Sequence, residues 1–457
     1  MTLTRTFTSP LADTYSRPGG PWDGATVDTV LSAAPPRDDL VIDEAGRRWS
    51  TAEVEAAVAD LAGGLRAAGV ERGHTVAWRA ANRVASIVVY RACWRVGAVA
   101  APIHHRAGET EAAGVIERVA PQVVLDLDDL PAGPPVPVGS SPAGPEDLAV
   151  VLFTSGSSGR PKGVLHTHRA LAHKARLMTA VHQLTAQDAT LLPLPLAHIS
   201  GLLNGVLVAG VAPLKTVLME RWSAERALSL IEQERVSAMF GPPTFFVELL
   251  ATPGFTPDRV SSLRLVSSGG AGVSPAFVRD AAARLGARVK RTYGSTEAPT
   301  VTTSEEDDPQ ERAAISDGHV TGDAEIQLDG EGELLVRGPE LFEGYLDAED
   351  NADAFTADGW FRTGDLGTIS EDGWLTIVGR RKDVIIRGGE NVDPGEVEAA
   401  LEAHPAVRQA VLVAEPDERL GERTVAVLVA DEPLDRDTIR DWVVDQGLAR
   451  FKAPDRV

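Results

Sequence analysis

Cysteine is almost missing: Cys93 is the only one among 457 residues, which excludes an internal disulfide framework and any zinc site built on cysteine. With Arg91 and Arg95 beside it in an apolar stretch, Cys93 reads as a core residue. Positive charge is scarce as well. Forty-four Lys and Arg stand against 66 Asp and Glu, a net charge of −22, which argues against non-specific binding of nucleic acid. No window approaches the length and apolarity of a membrane span, and no apolar segment follows basic residues near Met1, so a cytoplasmic protein is expected. Two common nucleotide signatures are missing too. No Gly-Lys dipeptide occurs, so the usual NTPase loop is excluded, and Gly270-Ala271-Gly272 runs into Val273-Ser274-Pro275 without the third glycine of the dinucleotide fingerprint. What is present is ordinary for a globular chain, 43% hydrophobic and 24% charged, and long enough for two or more domains.

The most informative stretch is residues 150–163, VVLFTSGSSGRPKG. Residues 148–153 form an apolar run that predicts a buried strand. It stops at Thr154-Ser155-Gly156-Ser157-Ser158-Gly159, followed by Arg160-Pro161-Lys162-Gly163. Glycines allow close backbone approach, hydroxyls add donors and Lys162 adds a cation. Such a set suits a polyphosphate, which needs many short donors and a positive charge. An anionic ligand on so acidic a chain must rely on local donors and a metal rather than on the overall field.

The remainder alternates between the two periodicities, which predicts an α/β fold with parallel-rich sheets. Ser50 and Glu53 form a capping box for a helix with Val54, Val58, Leu61 and Leu65 on one face. Helices are expected over 85–96, 222–234 and 274–285, and strands over 75–78, 97–103, 123–125, 236–240 and 263–267. Residues 1–23 read as an irregular arm and 131–145 as an exposed loop. A β-rich part follows, with a hairpin over 325–337 turning at Asp329-Gly330-Glu331-Gly332 and a further strand over 374–378. From Pro394 a small α+β unit is expected: a helix to about 402, strands over 407–413 and 424–429, and a helix from about 436 capped by Asp435.

The loop resembles the phosphate loop of adenylate-forming enzymes, the superfamily of acyl-CoA synthetases, stand-alone adenylation domains and beetle luciferases. Arg291-Thr292-Tyr293-Gly294-Ser295-Thr296-Glu297 carries the likeness further, and other stretches extend it in the right order over nearly the whole chain. The resemblance implies that Glu297 holds Mg²⁺, that Thr296 meets phosphate, and that Tyr293, Gly294 and Ser295 lie along the adenylate. The Gly269-Gly270-Ala271 turn would pass along adenine and acyl chain, its small residues, with Gly294, leaving room for the acid. His198 in PLAHISG would neighbour the acid, and Phe245 in GPPTFF would wall its pocket. Asp365 in WFRTGD and Arg380 in GRRKD would hold the ribose, and Lys382 would be the hinge between a large domain, 1–381, and a small mobile one, 382–457. Arg387-Gly388-Gly389-Glu390-Asn391-Val392-Asp393-Pro394 would line a thiol tunnel.

The implied activity is an ATP- and Mg²⁺-dependent carboxylic acid–coenzyme A ligase. The alternatives are an adenylation enzyme serving the phosphopantetheine thiol of a carrier protein, or a relative competent in one half-reaction. In the family a lysine of a C-terminal Gly-Lys motif bridges carboxylate and α-phosphate. Phe451-Lys452-Ala453-Pro454 resembles an earlier segment, so Lys452 is not its equivalent, and a tail beyond Val457 is expected to carry it. Fatty, aryl and polycyclic natural-product acids stay open, as does the oligomeric state.

Overall fold

Strands Thr75–Ala80, Val99–His104 and Leu148–Thr154 are short and almost wholly apolar, the pattern of strands covered on both faces. In the computed structural model, which describes residues 2–154, 160–388, 390–417 and 419–457, they form with Val123–Leu125 the parallel part of a five-stranded sheet. The last strand, Lys162–Thr167, returns antiparallel to Leu148–Thr154, because the short link between them leaves no room for a crossover helix.

A nine-stranded sheet stands opposite. Its parallel centre runs Arg288–Tyr293, Leu265–Ser268, Ala238–Gly241, Ala189–Leu192, Lys215–Leu218 and Val41–Ile42, with antiparallel strands at both edges. The twofold alternation of its strands is strict. Ala238, Phe240 and Leu265 enter the core shared with the first sheet, while Met239 and Val266 enter a second core under helices Ala224–Glu234 and Pro275–Leu285. A four-stranded antiparallel sheet follows, Glu325–Leu328, Glu333–Arg337, Phe361–Ile369 and Leu375–Arg380. The C-terminal part has its own four-stranded sheet and its own core, including Ile385, Val397, Leu412 and Ile439. Among the described residues no helix is long and apolar enough to cross a membrane.

The local signals hold where they were strongest. Ser50 and Glu53 cap Thr51–Ala67 reciprocally, and Asp435 accepts from the Thr438 amide at the start of Arg436–Asp445. Cys93 is buried, and burial pushes its thiol pKa up. Its neighbour Arg95 is buried against Asp28, Nε to Oδ1 at 2.9 Å.

Two expectations need correction. The stretch 131–145 is not simply exposed: Val136 is buried, and the loop backbone lies so close to the Thr51–Ala67 helix that a Cβ at Gly63 would stand 2.2 Å from the Pro134 carbonyl oxygen. The N-terminal arm is irregular as expected except for the short helix Ala12–Tyr15, and it is docked. Phe7 stacks on Phe355 with ring centroids 3.7 Å apart, and Trp22 Nε1 donates to the Pro339 carbonyl at 3.0 Å.

Candidate functional site

A cavity of about 3180 Å³ opens where the parallel strands of the nine-stranded sheet end, and it reaches the antiparallel and C-terminal sheets. This is where an α/β sheet ordinarily receives a ligand. Thr154 and Lys162 both line it and face each other across the antiparallel ladder. The expected donors Ser155, Gly156, Ser157, Ser158 and Gly159 lie outside the described residues.

Lys162 Nζ sits 4.5 Å from the centroid of the Tyr345 ring and 3.7 Å from Asp350 Oδ1. The Tyr345 hydroxyl in turn donates to Glu297 Oε1 at 2.7 Å. Burial and the Glu297 carboxylate together raise the Tyr345 pKa, so the phenol keeps its proton and remains a donor. One contact chain thereby ties the amine to the carboxylate. Behind it His166 is buried and lowered to about 4, hence a neutral imidazole, and its Nε2–H donates to the Thr296 carbonyl at 2.7 Å.

A second cluster centres on Asp365. Its Oδ2 accepts from the Tyr293 hydroxyl at 2.7 Å, and its Oδ1 lies 3.1 Å from Arg380 Nε. Burial pushes the Asp365 pKa up, and Tyr293 and Arg380 oppose that shift. Tyr293 and Asp365 lie 72 positions apart and on different sheets. The Gly269 turn presses against the same strand: a Cβ at Gly269 would stand 2.4 Å from the Thr292 carbonyl oxygen, and one at Gly294 would stand 2.3 Å from the Thr300 amide nitrogen. Glycine is required at both, and Gly270, Ala271, Ser295 and Thr296 line the cavity beside them.

The opposite wall is apolar with histidines. His198 precedes the short helix Ile199–Leu202, which continues into a single π-helical stretch, Leu203–Leu207. Such insertions recur at functional sites because they re-aim side chains. The His198 ring lies 5.2 Å from that of His104, which stacks on His105 at 4.8 Å. Burial lowers the pKa of all three, so they are neutral at pH 7. Phe245 lines the cavity and stacks on Trp222 at 4.4 Å. Lys382 is exposed in the 3₁₀ turn Arg381–Asp383, also on the cavity. Lys452 instead pairs with Glu396 of its own unit.

The described nucleotide, acid-pocket and hinge residues expected from the sequence therefore line this one cavity, whereas of the described residues in the stretch expected to line a thiol tunnel only Asp393 and Pro394 do so, and Arg387 pairs with Asp455. Sequence reasoning missed Tyr345, Asp350, His104, His182 and Asn204. Tyr345 had one usable signal, since the chain holds only 4 tyrosines. The others lie in no motif.

Comparison with known proteins identifies the family. The model of the AMP-binding enzyme family matches residues 30–346, and that of the AMP-binding enzyme C-terminal domain matches residues 396–457. The chain belongs to the AMP-binding enzyme family. Among its relatives is the medium-chain fatty-acid–CoA ligase of Escherichia coli (strain K12), 30% identical over 100% of this chain and 90% of that protein. ATP-bound MatB from Rhodopseudomonas palustris superposes with a TM-score of 0.86 at 28% identity, covering 95% of each chain. The o-succinylbenzoate coenzyme A synthetase of Bacillus subtilis in complex with ATP and magnesium ion gives 0.81 at 27% identity, covering 94% of each.

Proposed function

We propose that this chain is an ATP- and Mg²⁺-dependent carboxylic acid–coenzyme A ligase. The observation that carries the reading is the meeting of the Lys162–Tyr345–Glu297 chain and the Tyr293–Asp365–Arg380 cluster on one cavity. In the first half-reaction a carboxylate oxygen of the acid bonds to the α-phosphorus of ATP, and the bond to pyrophosphate breaks. In the second the thiol sulfur of CoA bonds to the acyl carbon, its proton is lost, and AMP leaves.

The donor set fits Mg²⁺. Among the described residues no group of three or more His, Cys, Asp or Glu could hold a metal. Glu297 offers a carboxylate whose Oε1 is oriented by Tyr345. One carboxylate completed by phosphate oxygens and water is how Mg²⁺ is commonly held. When bound, the ion supplies positive charge to phosphate oxygens as negative charge builds on them.

The chain's own residues divide the remaining work. Lys162, Thr154 and residues 155–159 hold the outer phosphates, and Thr296 holds the inner one. Asp365 accepts from both ribose hydroxyls, with Arg380 beside it. Tyr293, Gly294 and Ser295 border the base opposite Gly269, Gly270 and Ala271. Neutral His198 stands by the acid without drawing its carboxylate away from the reaction, and Phe245 walls the pocket. Residues 382–457 swing as a unit about Lys382 between the half-reactions, and CoA, rather than a carrier-bound thiol, is the acceptor. The names of the relatives support that choice. Pyrophosphate release measured over a panel of carboxylic acids, with thioester measured with and without CoA, tests the reading. Absence of pyrophosphate with every acid would refute it.

Two variants probe the nucleotide end. Lys162→Ala removes one charge-assisted contact, so kcat/KM for ATP should fall by the equivalent of about 1.5–3 kcal/mol with the fold retained. An unchanged value would remove Lys162 from the phosphates. Asp365→Ala should weaken AMP as well as ATP by roughly the same amount, because both carry the ribose. Calorimetry showing AMP bound as tightly as by the parent would exclude the ribose role.

A further inference from the structure

The cavity extends beneath the nine-stranded sheet, and its wall there is not wholly apolar. Phe240 and Ser267 lie opposite each other on neighbouring strands and line it, and Phe240 points into the core on the side of helix His168–Val181. His182 caps the C-terminal end of that helix, and its ring lies 5.3 Å from the ring of Phe240. His182 borders the cavity, yet the residue is only 4% exposed, and its Nδ1 is buried without a hydrogen-bond partner among the described residues. The π-helical stretch brings Leu203 and Asn204 to the cavity as well, and Asn204 spends an amide N–H on the Ser200 carbonyl at 2.9 Å.

A buried polar group without a partner is uncommon and unfavourable unless something else completes it. For a pocket receiving only hydrocarbon, phenylalanine or leucine at this position would serve better. Burial, with Lys290, Lys174 and Arg264 nearby, lowers the His182 pKa well below its ordinary value, so the ring is neutral. A neutral imidazole offers one N–H and one lone pair. It can pair with a carbonyl or a hydroxyl, whereas a second carboxylate would be desolvated there while the nearby cations are already engaged, Lys174 with Glu340, Arg264 with Asp188 and Lys290 with the Ser304 carbonyl.

We infer that His182 is a specificity-determining residue of the acid pocket, and that the preferred acid carries an uncharged oxygen function, ketone or hydroxyl, on the part of its acyl group remote from the carboxylate. This rests on the ligase reading above. The Phe240 ring lies 5.3 Å from the imidazole at a tilt of 52°, and the burial of His182 limits the water that would otherwise compete for the bond. A site built around a hydrogen bond discriminates against an analogue that lacks the polar group, because its own group is then left unpaired.

The experiment compares straight-chain acids of matched length with and without an oxo or hydroxyl group near the far end, in the full chain with ATP, Mg²⁺ and CoA. Dissociation constants for each acid are measured in parallel by calorimetry. The parent should prefer the best oxygenated acid over its alkyl counterpart by about tenfold or more in kcat/KM and in affinity. His182→Leu should reduce that ratio to about one, mainly by improving the alkyl acid, while His182→Gln should retain much of it. Melting temperatures of the three proteins separate loss of preference from loss of fold. A parent that favours the alkyl acid at every position of the oxygen, or a folded His182→Leu that keeps the parent's ratio, would overturn the inference. Either result leaves the ligase reading standing so long as some acid releases pyrophosphate.

Discussion

Glu297→Gln should lower the rate of acyl-adenylate formation by on the order of 10²-fold or more, with little change in melting temperature. The substitution is isosteric, and an amide oxygen can still accept from Tyr345, which donates to Glu297 Oε1 at 2.7 Å. What disappears is one full negative charge at the only position in the Lys162–Tyr345–Glu297 chain able to meet a hard cation. The Mg²⁺ concentration giving half-maximal rate should rise in parallel, and saturating Mg²⁺ should recover part of the loss. Tyr345→Phe is the companion variant. It removes the orienting hydroxyl but keeps the charge, so its effect should be much smaller. A Glu297→Gln enzyme with the parent's rate and Mg²⁺ midpoint would show that the ion is held elsewhere.

Lys382→Pro should separate the half-reactions. The residues on either side of this position are anchored to different sheets. Arg381 Nη1 lies 3.1 Å from Glu333 Oε2 in the antiparallel sheet, whereas Arg387 Nε donates to Asp455 Oδ2 at 2.7 Å within the C-terminal unit. A rotation between the two must be absorbed in the few residues between those anchors. Lys382 lies among them, exposed in the 3₁₀ turn Arg381–Asp383 and without a side-chain hydrogen bond or ion pair among the described residues. Proline fixes φ there. Acyl-adenylate formation should stay within about threefold of the parent, while thioester formation from supplied acyl-adenylate should drop on the order of 10²-fold. Equal loss of both steps in a folded variant would place the pivot elsewhere.

The readable part of the site was the part written in contiguous stretches. Tyr293 to Glu297 and Asp365 were singled out because they stand in contiguous stretches that resemble family motifs, and the fold brings these stretches to one cavity. Cap residues were readable for the same reason, since Ser50 and Glu53 bond within a single turn. Contacts between distant residues were not. Tyr345 lies 48 positions from the carboxylate it orients, and the intervening chain gives no periodic hint of their meeting. His182 looks like any helix-ending residue until the Phe240 strand is packed against it. The 131–145 stretch is the exposed loop expected except at Val136, whose burial among prolines and glycines leaves no pattern, although the facing Gly63 and Gly64 in the Thr51–Ala67 helix were a clue to close backbone approach. Phe7 and Trp22 in the arm were likewise isolated aromatics with nothing adjacent to show what they cover.

The antiparallel pairing of Leu148–Thr154 with Lys162–Thr167 makes the position of the amine a matter of parity. Thr154 and Lys162 are opposed by the ladder itself, and a slip of one residue would turn Lys162 toward the opposite face while moving a core side chain into its place. The five residues that follow Lys162 in its strand are all buried, so the core resists such a slip. Register and grip are thereby decoupled. If the link holds the phosphates as proposed, it can change length or composition and retune that grip while the hydrophobic interior keeps the cation on the cavity side. A chain built this way can vary its affinity for nucleotide without losing its aim.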